Sequence, residues 1–118
     1  MILFEEISIK IIGEDAIEKI NYDIVGSKRD KDSTYRSCFS SYYYYETDEE
    51  QISSIVLSLV KGHYFMDGNK RTAFIVFTAL CKFNNIELRN SDDYYSRVFI
   101  EIAENDYTVE KVAKLLFK

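Results

Sequence analysis

The chain has no proline and only four glycines. Both residues break regular elements, so their scarcity excludes a turn-rich β-sandwich and favours helices. Cysteine is scarce too. Cys38 and Cys81 stand far apart, without metal-ligand spacing. No secretory leader pattern opens the sequence, so no disulfide framework is expected and a reducing cytoplasm is the expected compartment. Cys81 lies in an apolar stretch and is expected as a buried thiol. Positive charge is in deficit: 15 Lys and Arg stand against 20 Asp and Glu, a net charge of −5. A protein that grips nucleic-acid backbones is basic, so DNA or RNA binding is excluded as the main role. No apolar run reaches membrane-spanning length. What is present is core material: 47% of the 118 residues are hydrophobic and 15% aromatic, enough for one domain over 1–118.

Histidine is also nearly absent, and its single occurrence organises the chain. His63 opens the stretch His63-Tyr64-Phe65-Met66-Asp67-Gly68-Asn69-Lys70-Arg71. Apolar sequence flanks it on both sides, so the stretch reads as a loop that ends at a helix N-terminus. Unpaired N–H groups and the helix dipole make such a terminus an anion site. Gly68 lets the backbone approach a ligand and take positive φ, and neighbouring N–H groups can form a nest. Lys70 and Arg71 add charge, and Arg71 can fork onto phosphate oxygens. Cations at a helix start oppose the dipole, which argues for an anion between them. Asp67 is the hard oxygen ligand that Mg²⁺ takes beside phosphates. His63 can accept a proton from a hydroxyl nucleophile near neutral pH. Singly, these residues also suit a surface histidine, an Asp-Gly turn and a solvated helix face.

Their order and spacing resemble a known signature. His63-x-Phe65-x-Asp67-x-Asn69-Lys70-Arg71 is similar to the motif of the Fic/Doc superfamily, closest to the Doc ("death on curing") toxins of toxin–antitoxin pairs. Lys70 stands where Fic proteins carry glycine, and Phe74 where they carry a last arginine; both departures match the Doc pattern. The resemblance implies an all-α, compact helical bundle around a buried central helix after the His63–Arg71 loop. It implies His63 as catalytic base and Asp67 as the Mg²⁺ ligand. Gly68, Asn69, Lys70 and Arg71 would hold the phosphates of ATP, and Phe65 would anchor the loop in the core. The Fic branch transfers AMP. The Doc branch transfers the terminal phosphate of ATP to a translation factor, EF-Tu, and stops protein synthesis. Phe74 favours phosphate transfer, because an apolar side chain cannot replace a phosphate-gripping arginine. AMP transfer is the alternative, and a non-catalytic binding module is the alternative outside enzymes. The family's inhibitory motif is absent, since Ile100 stands four residues before Glu104-Asn105 where Ser or Thr is needed. A separate antitoxin protein is the expected brake.

The remaining elements follow from periodicity. Residues 2–12 fit a helix through Leu3, Ile7 and Ile11, or a strand through Ile7, Ile9 and Ile11; family likeness favours helix. Residues 14–24 suit a short helix or a loop. After a loop at 26–32, Asp32 or Ser33 can cap a helix with Tyr35, Cys38, Phe39, Tyr42 and Tyr43 inside. Tyr42, Tyr43, Tyr44 and Tyr45 read either as two core and two rim residues, or as a docking surface. Position favours 40–47 as the flap on which these proteins seat their target as an added strand. Thr47-Asp48-Glu49-Glu50 is a capping box before the stripe Ile52, Ile55, Val56, Leu59 and Val60, with Gly62 as C-cap. The central helix is expected over 72–83. Asn90 or Ser91 caps a helix to Glu104 with Tyr94, Val98 and Ile102 inward, and 108–117 is the last helix.

Overall fold

The structure is a computed structural model that describes residues 9–12, 14–26, 35–65 and 67–118. Among the described residues it is all-α. Five α-helices run as α1 (Glu14–Val25), α2 (Asp48–Lys61), α3 (Asn69–Phe83), α4 (Asp92–Glu104) and α5 (Val109–Leu116). Two short 3-10 turns, Tyr35–Phe39 and Tyr42–Tyr44, lie between α1 and α2.

The caps explain where the helices begin. Thr47 accepts the Glu50 N–H at 3.1 Å, and its hydroxyl meets Glu50 Oε1 at 3.2 Å. Ser91 accepts the Tyr94 N–H, and Thr108 the Lys111 N–H. Each of these caps satisfies a donor that the helix cannot pair internally. Asp48, Glu49 and Glu50 open α2, Asp92 and Asp93 open α4, and Glu110 opens α5, as the helix dipole favours. The helix α3 is the exception, with neither a side-chain cap nor an acid in its first turn.

The centre of the bundle is shared. α2 packs against α3, α4, α5 and both 3-10 turns. Its expected stripe Ile52, Ile55, Val56, Leu59 and Val60 is buried, and so are Gln51, Ser53 and Ser54. α3 buries Ala73, Val76, Phe77, Leu80 and Cys81, but leaves Ile75 and Phe83 exposed. Burial pushes the Cys81 thiol up to about 12. Both cysteines are buried, and they form no disulfide with each other. Phe77 meets Tyr95, Phe99 and Phe117 with ring centroids 5.5, 6.0 and 5.7 Å away, which joins α3 to α4 and the chain end.

Several expectations change. Residues 9–12 are not helical; the part of the expected first helix over 2–8 lies outside the described residues. Ile9 and Ile12 are buried, while Ile11 is 38% exposed. Side chains hold this segment instead of helix bonds. Gln51 Oε1 accepts the Ile9 N–H at 2.9 Å, and the Asn84 carboxamide pairs with both backbone groups of Lys10. Residues 14–25 are a helix. The expected helix around Cys38 is two 3-10 turns, and its expected caps Asp32 and Ser33 lie outside the described residues. None of Tyr42–Tyr44 is buried. Tyr42 and Tyr45 are half-buried, so two tyrosines do not enter the core as one reading had it. On α4 the fully inward tyrosine is Tyr95, not Tyr94. Tyr94 stays half-buried because its hydroxyl donates to the Leu115 carbonyl at 2.6 Å, tying α4 to α5.

Candidate functional site

α3 begins at Asn69, three residues before the expected start, so Lys70 and Arg71 sit in its first turn. The N-cap is Gly68, at φ 74° in the left-handed region. A Cβ there would lie 2.8 Å from Val25 Cγ1 and 3.3 Å from Asn21 Nδ2, so only glycine fits between α1 and α3. With no side-chain cap, the first N–H groups of α3 get no hydrogen bond from an N-cap side chain.

The loop is held by a small set of carboxamides. Asn69 grips Phe65 twice: its Oδ1 accepts the Phe65 N–H at 3.1 Å, and its Nδ2 donates to the Phe65 carbonyl at 2.9 Å. Phe65 itself is buried at 4% exposure. On the other side, Asn21 Nδ2 donates to the Asp67 carbonyl at 2.9 Å and to Thr72 Oγ1 at 3.0 Å. Asn21 and Thr72 are both buried. The carboxamide therefore ties α1 to the end of the loop and the start of α3. The Asn69 side chain, expected on phosphate, is committed to the loop; its backbone N–H is what it offers an anion.

Tyr64 closes the other end. Its hydroxyl lies 2.7 Å from Ser58 Oγ and accepts from Ser37 Oγ at 3.0 Å. Its ring covers Gly62, where a Cβ would fall 2.4 Å from the ring. Gly62 is thus required for close approach rather than for a left-handed C-cap, since its φ is −77°. His63 follows at φ 49°, a left-handed conformation that costs a non-glycine residue about 1 kcal/mol or more. The exposed imidazole sits on the rim of a cavity.

That cavity, of about 210 Å³, is lined by His63, Asp67, Gly68, Asn69, Lys70 and Arg71, with Val60 and Ala103 as its apolar walls. It brings together every polar residue expected of the site. Lys70 and Arg71 are exposed, as are His63 and Asp67. Asp67 Oδ1 accepts the Gly68 N–H at 2.7 Å, which orients the carboxylate at the helix start. No group of three or more His, Cys, Asp or Glu side chains converges as a metal cage among the described residues. A lone oriented carboxylate beside an anion site fits Mg²⁺, which takes one or two protein carboxylates and completes its shell with phosphate and water. Lys61, in the last turn of α2, donates to the carbonyls of Ala103 and Asn105 at 3.2 and 3.1 Å. Its charge complements the C-terminal end of α4.

The candidate flap carries less. Tyr43 and Tyr44 are 53% and 75% exposed, with ring centroids 4.6 Å apart. The hydrogen bond with Tyr44 and that ring's charge, ahead of burial, raise the Tyr43 phenol. Residues 42–44 turn as a 3-10 helix, and Tyr45 is extended at φ −93°, ψ 151°. Sequence reasoning missed Asn21 and Tyr64. Asn21 was visible as a polar residue on the Ile17, Ile20, Ile24 face of an amphipathic helix. Tyr64 gave no signal, because Ser37 lies 27 residues away.

Among the described residues, fold and loop together define an all-α arrangement with a polar cavity at the start of α3. A family model described as the Fic/DOC family matches residues 9–81, more than half of the chain, and the chain belongs to that family. Its domains are generally transferases acting by AMPylation or phosphorylation, with ATP and a divalent metal. The comparisons with curated proteins and with solved structures gave no match. No helix among the described residues is long and apolar enough to cross a membrane.

Proposed function

We propose that the protein is a Doc-type toxin acting as a single domain over 1–118. It transfers the terminal phosphoryl group of ATP to a Ser or Thr hydroxyl of an EF-Tu-like translation factor. The observation that carries this reading is the cavity at the start of α3, which gathers an imidazole, a carboxylate, two cations and the N–H groups of the helix start. In the family's order, these are a proton acceptor, a metal ligand and a phosphate cradle. Phe74 supports phosphate over AMP transfer, since it packs its ring against Phe99 at 5.7 Å and offers no charge to a second phosphate site.

The target hydroxyl oxygen attacks the terminal phosphorus while its proton passes to the His63 imidazole. The bond from that phosphorus to its bridging oxygen breaks, and ADP leaves with the electron pair. Lys70, Arg71 and the first N–H groups of α3 bind the phosphates and neutralise charge that builds on the oxygens. Asp67 would hold Mg²⁺, which supplies further charge neutralisation when bound. Asn69, Asn21 and Tyr64 keep the loop in the geometry that positioning requires. Tyr43 and Tyr44 supply exposed aromatic surface for the target segment. A separate antitoxin protein restrains the enzyme in the cytoplasm.

Intact-mass analysis of EF-Tu with the protein, ATP and Mg²⁺ tests this. A gain of one phosphate, lost with His63→Ala, is the expected result. A gain of one AMP would replace phosphate transfer by nucleotidyl transfer. Target binding without ATP consumption would replace the enzyme by a binding module. Rescue of growth by the neighbouring open reading frame tests the antitoxin.

A further inference from the structure

Three polar side chains of α2 share one face of the helix. Gln51, Ser54 and Ser58 follow at spacings of three and four residues, so they line up over about 10 Å. Each meets a group of the segment 37–45 or of the site loop. Gln51 Nε2 donates to the Tyr45 carbonyl at 2.8 Å. Ser54 Oγ makes a long contact with Ser41 Oγ at 3.5 Å. Ser58 Oγ lies 2.7 Å from the Tyr64 hydroxyl, which also accepts from Ser37 Oγ at 3.0 Å. Positions 45, 41 and 37 therefore follow α2 in reverse order, against 51, 54 and 58. This register brings Ser37 to the site loop, although it stands 27 residues before Tyr64 in the chain.

The last rung of this ladder bears on His63. Tyr64 follows His63, and its ring covers Gly62 on the other side. His63 is thus the middle residue of three whose outer two are packed on each other, and it carries the left-handed φ of 49°. Where the Tyr64 ring sits decides where the imidazole sits. A tyrosine hydroxyl accepts one hydrogen bond and donates another. Ser37 supplies the first, which leaves the Tyr64 proton for Ser58 Oγ. The ring is so fixed from two separate segments. Ser37 is exposed and Ser58 is half-buried, so water replaces part of what the Ser37 hydroxyl gives.

We infer that Ser37 is a positioning residue for His63, acting through the Tyr64 hydroxyl with Ser58 as the fixed end of the relay. For the transfer step this rests on the reading of His63 as proton acceptor; the positioning is a property of the fold. The segment 37–45 then does different work at its two ends. One end props the site loop, and the other exposes Tyr43 and Tyr44.

His63 is the single histidine of the chain, so its imidazole gives one set of NMR signals on the untagged protein. Ser37→Ala should shift those signals, and Ser37→Thr, which keeps the hydroxyl, should restore them. In a Tyr64→Phe background Ser37→Ala should add nothing, because the relay is already cut. In transfer assays Ser37→Ala should lower kcat by about two- to tenfold and leave KM for ATP unchanged. Signals unmoved by Ser37→Ala, an equal shift in the Tyr64→Phe background, or an unchanged kcat in an active enzyme would overturn the inference. Signals that move as expected in a protein that transfers nothing would uphold the positioning and remove the reading of His63 as proton acceptor.

Discussion

The loop at 62–69 and the tyrosine run at 42–45 are both short segments leading toward a long helix, and they are held in opposite ways. The backbone of the loop is pinned by side chains from three directions. Asn69 clasps Phe65, Asn21 reaches Asp67 and Thr72, and the Tyr64 hydroxyl sits between Ser37 and Ser58. The tyrosine run is held by its own backbone turns, Tyr44 N–H to the Ser41 carbonyl and Tyr45 N–H to that of Tyr42, with Gln51 Nε2 donating to the Tyr45 carbonyl at 2.8 Å and Tyr42 resting against the core. A loop that carries chemistry must be rigid to within fractions of an ångström, whereas a surface that receives a partner can stay loosely held. Strain tells the same story: the left-handed non-glycine residue nearest the cavity is His63.

That contrast can be broken at several points. His63→Ala has the largest expected effect: a loss of about 10²–10⁴-fold in transfer rate, read by target mass gain, with unchanged circular dichroism. Asn69→Ala comes next. It removes both hydrogen bonds that Asn69 makes to the Phe65 backbone, so thermal melting should fall by the equivalent of about 1–3 kcal/mol, with transfer impaired as well. Tyr64→Phe removes a hydroxyl but keeps the ring over Gly62. It should cost about 1 kcal/mol and lower kcat more than it raises KM for ATP, because His63 is positioned less well.

A fourth probe lies behind α3. Cys81 is held as the thiol by burial, up to about 12. Its folded value lies above the unfolded one, so its contribution to stability is complete below pH about 8.5 and is lost as pH rises toward 12. Thiol alkylation at pH 8 should therefore label Cys81 only in denaturant, read by mass. Tyr44→Ala should do least to the fold. At 75% exposure its loss should move stability by less than about 0.5 kcal/mol. If the run receives the target, KM for the target rises while ATP affinity holds. An unchanged KM for the target would reduce the run to a plain surface.

Part of this was legible from residue order. The caps Thr47, Ser91 and Thr108 act within three residues, so local sequence encodes them. The stripe of α2 repeats at helical spacing, and every residue of it is buried. The site loop was legible because its residues are neighbours in the chain and their types are specific. The start of the chain was not. Ile9 is paired by Gln51, 42 residues away, and Lys10 by Asn84, 74 residues away, so alternation and helical spacing were equally poor guides. The tyrosine run misled for a related reason: four like residues in a row carry no periodicity to say which faces inward.

By itself the sequence determined the helical class, the caps and the set of groups that meet at the start of α3, because each rests on contacts within a turn or a loop. Only the tertiary structure decided that Asn21 locks the loop from another helix, that Asn69 clasps Phe65, and that the Tyr64 hydroxyl sits between Ser37 and Ser58. Those outcomes depend on which distant surfaces exclude water together, and no local pattern specifies that partner.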